Sequence, residues 1–156
     1  MNKTNAMRML DSAKIKYEVF LYEYDENDLS GVHAAEFLKI KPSEFYKTLV
    51  LKGERNGYFV CCIPVDKEVD LKKAAGVMKD KSVDMLHVQD LQGITGYIRG
   101  GCSPIGMKKK FPTFFDRDVE KLEKVFVSGG MRGCAIKVNS KELREYIKGC
   151  TADITR

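Results

Sequence analysis

Residues 46–65 constrain the fold more than any other part of this chain. Segments 46–52 (YKTLVLK) and 58–65 (YFVCCIPV) are rich in β-branched, aromatic and aliphatic residues, and GERNG lies between them. That pattern predicts an antiparallel hairpin joined by a glycine-containing turn. Further strands are predicted over 17–22 (YEVFLY) and near 82–86, 97–99, 112–116, 124–128 and 133–138, separated by Gly and Pro. Helices are predicted over 4–14, where Ala6, Met9, Leu10 and Ala13 make one stripe, and over 31–40, behind a Ser30 cap and ahead of Pro42. Two more are expected, from an Asp70 cap to about residue 78, and over 140–148 with Ser140 and Leu143 in cap and core positions. Strands outnumber helices without strict alternation. The expected fold is therefore α+β (mixed α/β), a single domain with a strongly curved, barrel-like mixed β-sheet flanked by helices.

A chain of 156 residues has the length of one domain, taken as 1–156, and can bury roughly 70% of its unfolded surface without a disulfide or metal staple. No run approaches the roughly 18 apolar residues of a membrane span, and MNKTNAMRML lacks the apolar core of a signal peptide. The five cysteines are odd in number, two are adjacent, and no C-x-x-C occurs. Cys61 and Cys62 would point to opposite faces of a strand and so cannot share a tetrahedral zinc. Reduced thiols in a cytoplasmic protein are expected. His33 and His87 are the two histidines, too few for a metal site. Twenty-seven Lys and Arg against 22 Asp and Glu give a net charge of +5, a lean toward polyanions well short of DNA packaging.

Three segments stand out from this background. Lys47 shares a strand face with Phe45, Leu49 and Leu51, a costly place for an ammonium unless it reaches a polar cavity or an anion. An edge-strand lysine snorkelling to solvent is the plain alternative. GGCSPIGMKKK (100–110) combines two glycines that can present backbone amides, the hydroxyl of Ser103, a stiffening Pro104, and Lys108, Lys109 and Lys110. VSGGMRG (127–133) repeats that chemistry with Ser128, Gly129, Gly130 and Arg132. Two such loops can build a pocket of donors for an oxygen gaining negative charge. They can equally be ordinary turns at strand ends.

In this order, the YKTL strand, GGCSPIGMKK and VSGGMRG resemble the YbaK/EbsC family of aminoacyl-tRNA deacylases, relatives of the editing domain inserted in bacterial prolyl-tRNA synthetases. The likeness spans nearly the whole chain and is nearest to the free-standing Cys-tRNA(Pro) deacylase branch. It implies a cytoplasmic enzyme that removes mischarged cysteine from the 3′ end of tRNA(Pro), with Cys-tRNA(Cys) as a further substrate and prolyl-tRNA synthetase as a partner. It implies no metal and no cofactor, and no membrane or DNA partner is expected. By the same resemblance Lys47, Gly101 and Ser128 are catalytic. Tyr22, Thr48, Gly100, Ser103, Gly129 and Gly130 bind substrate, and Lys108, Lys109, Lys110 and Arg132 contact tRNA phosphates. The motifs contain no Ser–His–acid triad. The expected mechanism is attack by the substrate's own thiol or a positioned water, with amides near Gly101 holding the oxyanion and Lys47 neutralising charge. The chain departs from the family pattern at Ala135, where close relatives often carry aspartate, and at Leu29 and Ser30, where an aromatic is expected. Cys102 occupies a variable motif position, which argues against an enzyme thiol as nucleophile. The alternatives are a non-catalytic tRNA- or synthetase-binding module of the same fold, a deacylase preferring alanine or another small residue, and a thiol hydrolase using Cys102.

Overall fold

The computed structural model describes residues 2–156. The chain runs α1 (Asn5–Ser12), β1 (Tyr17–Leu21), α2 (Gly31–Leu38), β2 (Tyr46–Gly53), β3 (Gly57–Pro64), α3 (Leu71–Met78), β4 (Val83–Met85), α4 (Val88–Thr95), β5 (Thr113–Asp116), β6 (Lys124–Ser128), β7 (Cys134–Asn139), α5 (Ser140–Tyr146) and β8 (Cys150–Ala152). Local chemistry sets the helix starts. The side chains of Thr4, Ser30, Asp70 and Asn139 each accept a hydrogen bond from an amide three residues on, at 2.9–3.2 Å. Each such cap contributes about 1 kcal/mol. Asn139 takes the role expected of Ser140, whose buried hydroxyl donates to the Val119 carbonyl instead.

The strands form two sheets, with orders β1-β7-β6 and β4-β2-β3-β5-β8. β3–β5 and β5–β8 are parallel and the remaining ladders antiparallel, so the sheet system is mixed. The expected barrel-like closure is wrong. A barrel requires the last strand to ladder onto the first, whereas both sheets stay open. Among the described residues a single parallel bridge, Phe45 to Phe126, joins strand β6 to the start of β2.

The β2–β3 hairpin crosses the middle of the larger sheet, so both its faces are covered. Cys61 packs with Leu51, Phe59 and Ile63 beneath α3, and Cys62 packs with Tyr46, Val50 and Phe115 on the opposite side. A third cluster, including Ala34, Ala35, Phe45, Val65 and Phe126, seats α2 where the two sheets meet. The segment expected as a strand at 97–99 is not one. Before it lies α4, a helix not expected from sequence.

Asp80 organises the hairpin turn. Its carboxylate accepts from the amides of Arg55 (3.1 Å), Asn56 (2.8 Å) and Lys81 (2.7 Å), and a Cβ on Gly53 would collide with it. Desolvation pushes its pKa up, but the amides of Asn56, Arg55, Lys81 and Ser82 together outweigh that and hold the carboxyl below its usual range. The folded pKa lies below the unfolded one, so this stabilisation is present above the unfolded value and is lost as pH falls through the folded one. Asp80→Ala is expected to lower the melting temperature at pH 7. The gap to wild type should narrow as the pH drops below 4, which thermal melts across that range would check.

Candidate active site

Strand β2 offers one edge to two partners. Phe45, just ahead of it, bridges to β6, and residues 51–53 ladder onto β4. Between these points no strand pairs with the edge, and a cavity of about 320 Å³ opens there. Five consecutive β2 residues, Tyr46 through Val50, line it. Side chains alternate between faces, so a run of five on one cavity places it along the strand's edge.

The remaining walls come from segments distant in sequence. The start of α2 supplies Leu29, Ser30, Gly31 and Ala34, and α4 supplies Val88 and Leu91. A Cβ on Gly31 would collide with Val65, so the helix start lies directly against the sheet. Tyr22, Ser128, Arg99, Gly100 and Cys102 complete the polar side. No Asp, Glu or His among the described residues lines the cavity. Among the described residues no three His, Cys, Asp or Glu side chains gather as metal ligands, and no helix is long and apolar enough to cross a membrane.

Of the residues singled out in the sequence, Tyr22, Lys47, Thr48, Gly100 and Ser128 therefore meet around one cavity. Lys47 is half-buried, and none of the ion pairs among the described residues includes it. Burial lowers its pKa, and the charges of Glu68 and Asp66 only partly hold it up. A cation kept without a partner in a cavity free of carboxylates is a receptor for anionic oxygen. The Ser128 hydroxyl accepts from the Gly130 amide (3.2 Å), so its own proton remains to donate. Burial raises the Tyr22 phenol, keeping it neutral as a donor. Burial also pushes the Cys102 thiol up to about 12, opposite to the shift that makes a thiol reactive.

The other predicted residues lie behind or beside this cavity. Gly101 is buried and its amide donates to the Ile98 carbonyl (3.0 Å). A Cβ there would stand 3.0 Å from Met131 Cα, Met131 C and Arg132 N, so the two glycine loops touch backbone to backbone. Buried Ser103 accepts from the Ile105 amide (3.2 Å) within its own loop. The Gly129 amide donates to the Cys134 carbonyl (2.9 Å), and Gly130 holds φ +102°. Arg132 Nε donates to the Arg99 carbonyl (2.8 Å), fastening the second loop to the first. Lys108 lies along Gly96 with Nζ 3.4 Å from the Gly93 carbonyl, while Lys109 and Lys110 are exposed. Ala135 is fully buried in the cluster beneath α2 and does not line the cavity. Sequence reasoning missed Arg99, although it directly precedes the double glycine, and the α4 wall.

A family model described as the aminoacyl-tRNA editing domain matches residues 29–146. EbsC of Enterococcus faecalis, a proposed Cys-tRNA(Pro)/Cys-tRNA(Cys) deacylase, is 43% identical over 153 residues, covering 98% of this chain and 93% of that protein. The proline–tRNA ligase of Fervidobacterium nodosum is 32% identical over 131 residues, 84% of this chain but 22% of the ligase. The crystal structure of the hypothetical protein APE2540 superposes with a TM-score of 0.87 at 21% identity, covering 96% of this chain and 98% of that one, which shows a shared fold.

Proposed function

This chain belongs to the aminoacyl-tRNA editing domain family, and on that premise we propose that it is a trans-editing deacylase that removes mischarged cysteine from tRNA(Pro), with Cys-tRNA(Cys) as a further substrate, in the cytoplasm. One observation carries the reading: an unpaired lysine and the hydroxyl-bearing side chains of Tyr22, Thr48 and Ser128 line a cavity that holds no carboxylate, imidazole or activated thiol among the described residues. Such a site orients an ester and stabilises charge, and supplies no strong base. The nucleophile then comes from the substrate. The cysteinyl sulfur forms a C–S bond to its own ester carbonyl, the C–O bond to the ribose breaks, and the thiol proton passes to the ribose oxygen, leaving a thiolactone and free tRNA.

In this reading Lys47 neutralises the negative charge at the reacting ester or the adjacent phosphate. Tyr22, Thr48 and Ser128 orient the aminoacyl group and ribose. Lys109 and Lys110, with Lys108 and the outer nitrogens of Arg132, contact acceptor-end phosphates, which position RNA without reading its sequence. Prolyl-tRNA synthetase is the proposed partner, supported by the likeness to part of a proline–tRNA ligase. A deacylation panel of Cys-, Ala-, Ser- and Pro-tRNA(Pro), with and without that synthetase, tests the proposal. Cysteine should be released fastest. Equal rates across the panel would overturn the selectivity, and tRNA binding without release would make the chain a binding module.

The same chemistry bears on Cys102. Cys102→Ala and Cys102→Ser should keep activity within about twofold, because a thiol this basic is no nucleophile at neutral pH. Loss of activity in both variants with the fold intact, or rapid inactivation by iodoacetamide, would point to an enzyme thiol instead.

A further inference from the structure

The cavity contains backbone groups that the sheet leaves unused. The Val60 amide donates to the Pro112 carbonyl (2.8 Å), so Val60 and Cys62 turn toward β5, and Cys61 and Ile63 turn toward β2. Their partners Leu49 and Lys47 therefore commit their amides and carbonyls to β3. Alternation turns Tyr46, Thr48 and Val50 outward. The Val50 carbonyl is taken by the Leu86 amide (3.0 Å), and the bridge to Phe126 occupies the strand's beginning. Thr48 lies between, its N–H and C=O facing the cavity where neither β4 nor β6 pairs with it.

We infer that the aminoacyl group docks on this edge as a one-residue antiparallel strand, its ester carbonyl accepting from Thr48 N–H and its α-ammonium donating to Thr48 C=O. The inference rests on the deacylase reading and specifies how that site holds its substrate. An aminoacyl group carries one donor and one acceptor on either side of a single Cα. A residue paired in the hydrogen-bonded register of an antiparallel ladder presents the same arrangement and exchanges both bonds with its partner. No carboxylate lines the cavity, so the ammonium needs a carbonyl or hydroxyl as acceptor. The amide of Gly101 already serves the Ile98 carbonyl, so Thr48 N–H is the donor placed for an oxyanion beside Lys47.

Amide exchange read by NMR tests this on the wild-type protein, with 3′-(L-cysteinylamino)-3′-deoxyadenosine as an unhydrolysable probe. Its addition should shift the Thr48 amide and slow its exchange at least about tenfold, as a charge-linked hydrogen-bonded pair requires. The counterpart lacking the α-amine should bind at least about tenfold more weakly. Thr48→Ala, which keeps the amide, should show the same protection at residue 48. An unprotected Thr48 amide while Tyr22 and Ser128 report a filled cavity would overturn the docking mode, as would equal affinity for the two probes. If Thr48 is protected but wild-type protein releases no amino acid from any tRNA, the docking mode stands and the deacylase reading falls. If release proceeds with Thr48 unprotected, the reverse holds.

Discussion

Lys47→Ala is expected to lower the deacylation rate constant about 10³-fold while the protein stays folded, the scale of losing a main electrostatic stabiliser in a desolvated site. Three features of the structure set that size. Lys47 lines the cavity, none of the ion pairs among the described residues includes it, and its neighbours in the wall are largely apolar. Its charge is thus only partly offset by Glu68 and Asp66 and not fully dispersed by solvent, so an anionic transition state at the cavity receives a strong share of it. The same isolation costs the empty protein stability. The folded pKa lies below the unfolded value, so the charged amine destabilises the fold at neutral pH and the penalty is relieved as pH rises through the folded pKa. Lys47→Met should therefore be inactive yet melt no lower than wild type at pH 7, and any advantage should shrink at alkaline pH. Lys47→Arg should fail to restore activity, since a planar guanidinium delivers its charge in a different place. Single-turnover deacylation with thermal melts from pH 7 to 10 reads both effects. Residual activity near wild type in Lys47→Ala would remove the lysine from the chemistry.

How much of this was legible in the sequence follows from how local each signal is. The β2–β3 hairpin, the caps at Ser30 and Asp70, and the opposed burial of Cys61 and Cys62 are set within a few residues of chain and follow from turn chemistry and strand period. Lys47 was legible for the same reason, because a lysine inside an apolar strand is costly wherever the strand is placed. Helix α4 was not. VQDLQGIT contains a glycine and β-branched residues, its N-cap His87 makes no side-chain capping bond, and it meets the core through Leu91 and the buried Thr95. The open sheets were not legible either, since which edges pair is decided between segments as far apart as Tyr17 and Val138. The gap along β2 that forms the cavity is a property of those pairings. The roles of the glycine loops divided along the same line: their composition marked the site, but only their mutual packing shows that Gly100 faces the cavity while Gly101 joins the loops.

That division makes Gly101→Ala a discriminating change. It is expected to cost about 1–3 kcal/mol of stability, the usual penalty of overpacking, and to lower deacylation by about 10²-fold or more through misplacement of the reacting groups. The backbone of Gly101 is not in the left-handed region, so strain is not the obstacle. The obstacle is space, because the added methyl would stand 3.0 Å from main-chain atoms of Met131 and Arg132, which cannot rotate away as side chains do. The loops must give by a few tenths of an ångström, which strains the 2.8 Å bond from Arg132 Nε to the Arg99 carbonyl and shifts Arg99, Gly100 and Cys102 on the cavity wall. At Gly100 the nearest neighbours of a new methyl are side chains of Leu29 and Arg132, which can yield, although φ +86° adds strain of its own. Alanine keeps the amide of residue 101. A large loss of kcat with the melt shifted by only a few degrees therefore identifies residue 101 as a positioning residue, and an unchanged rate would show that the two loops do not fix the cavity.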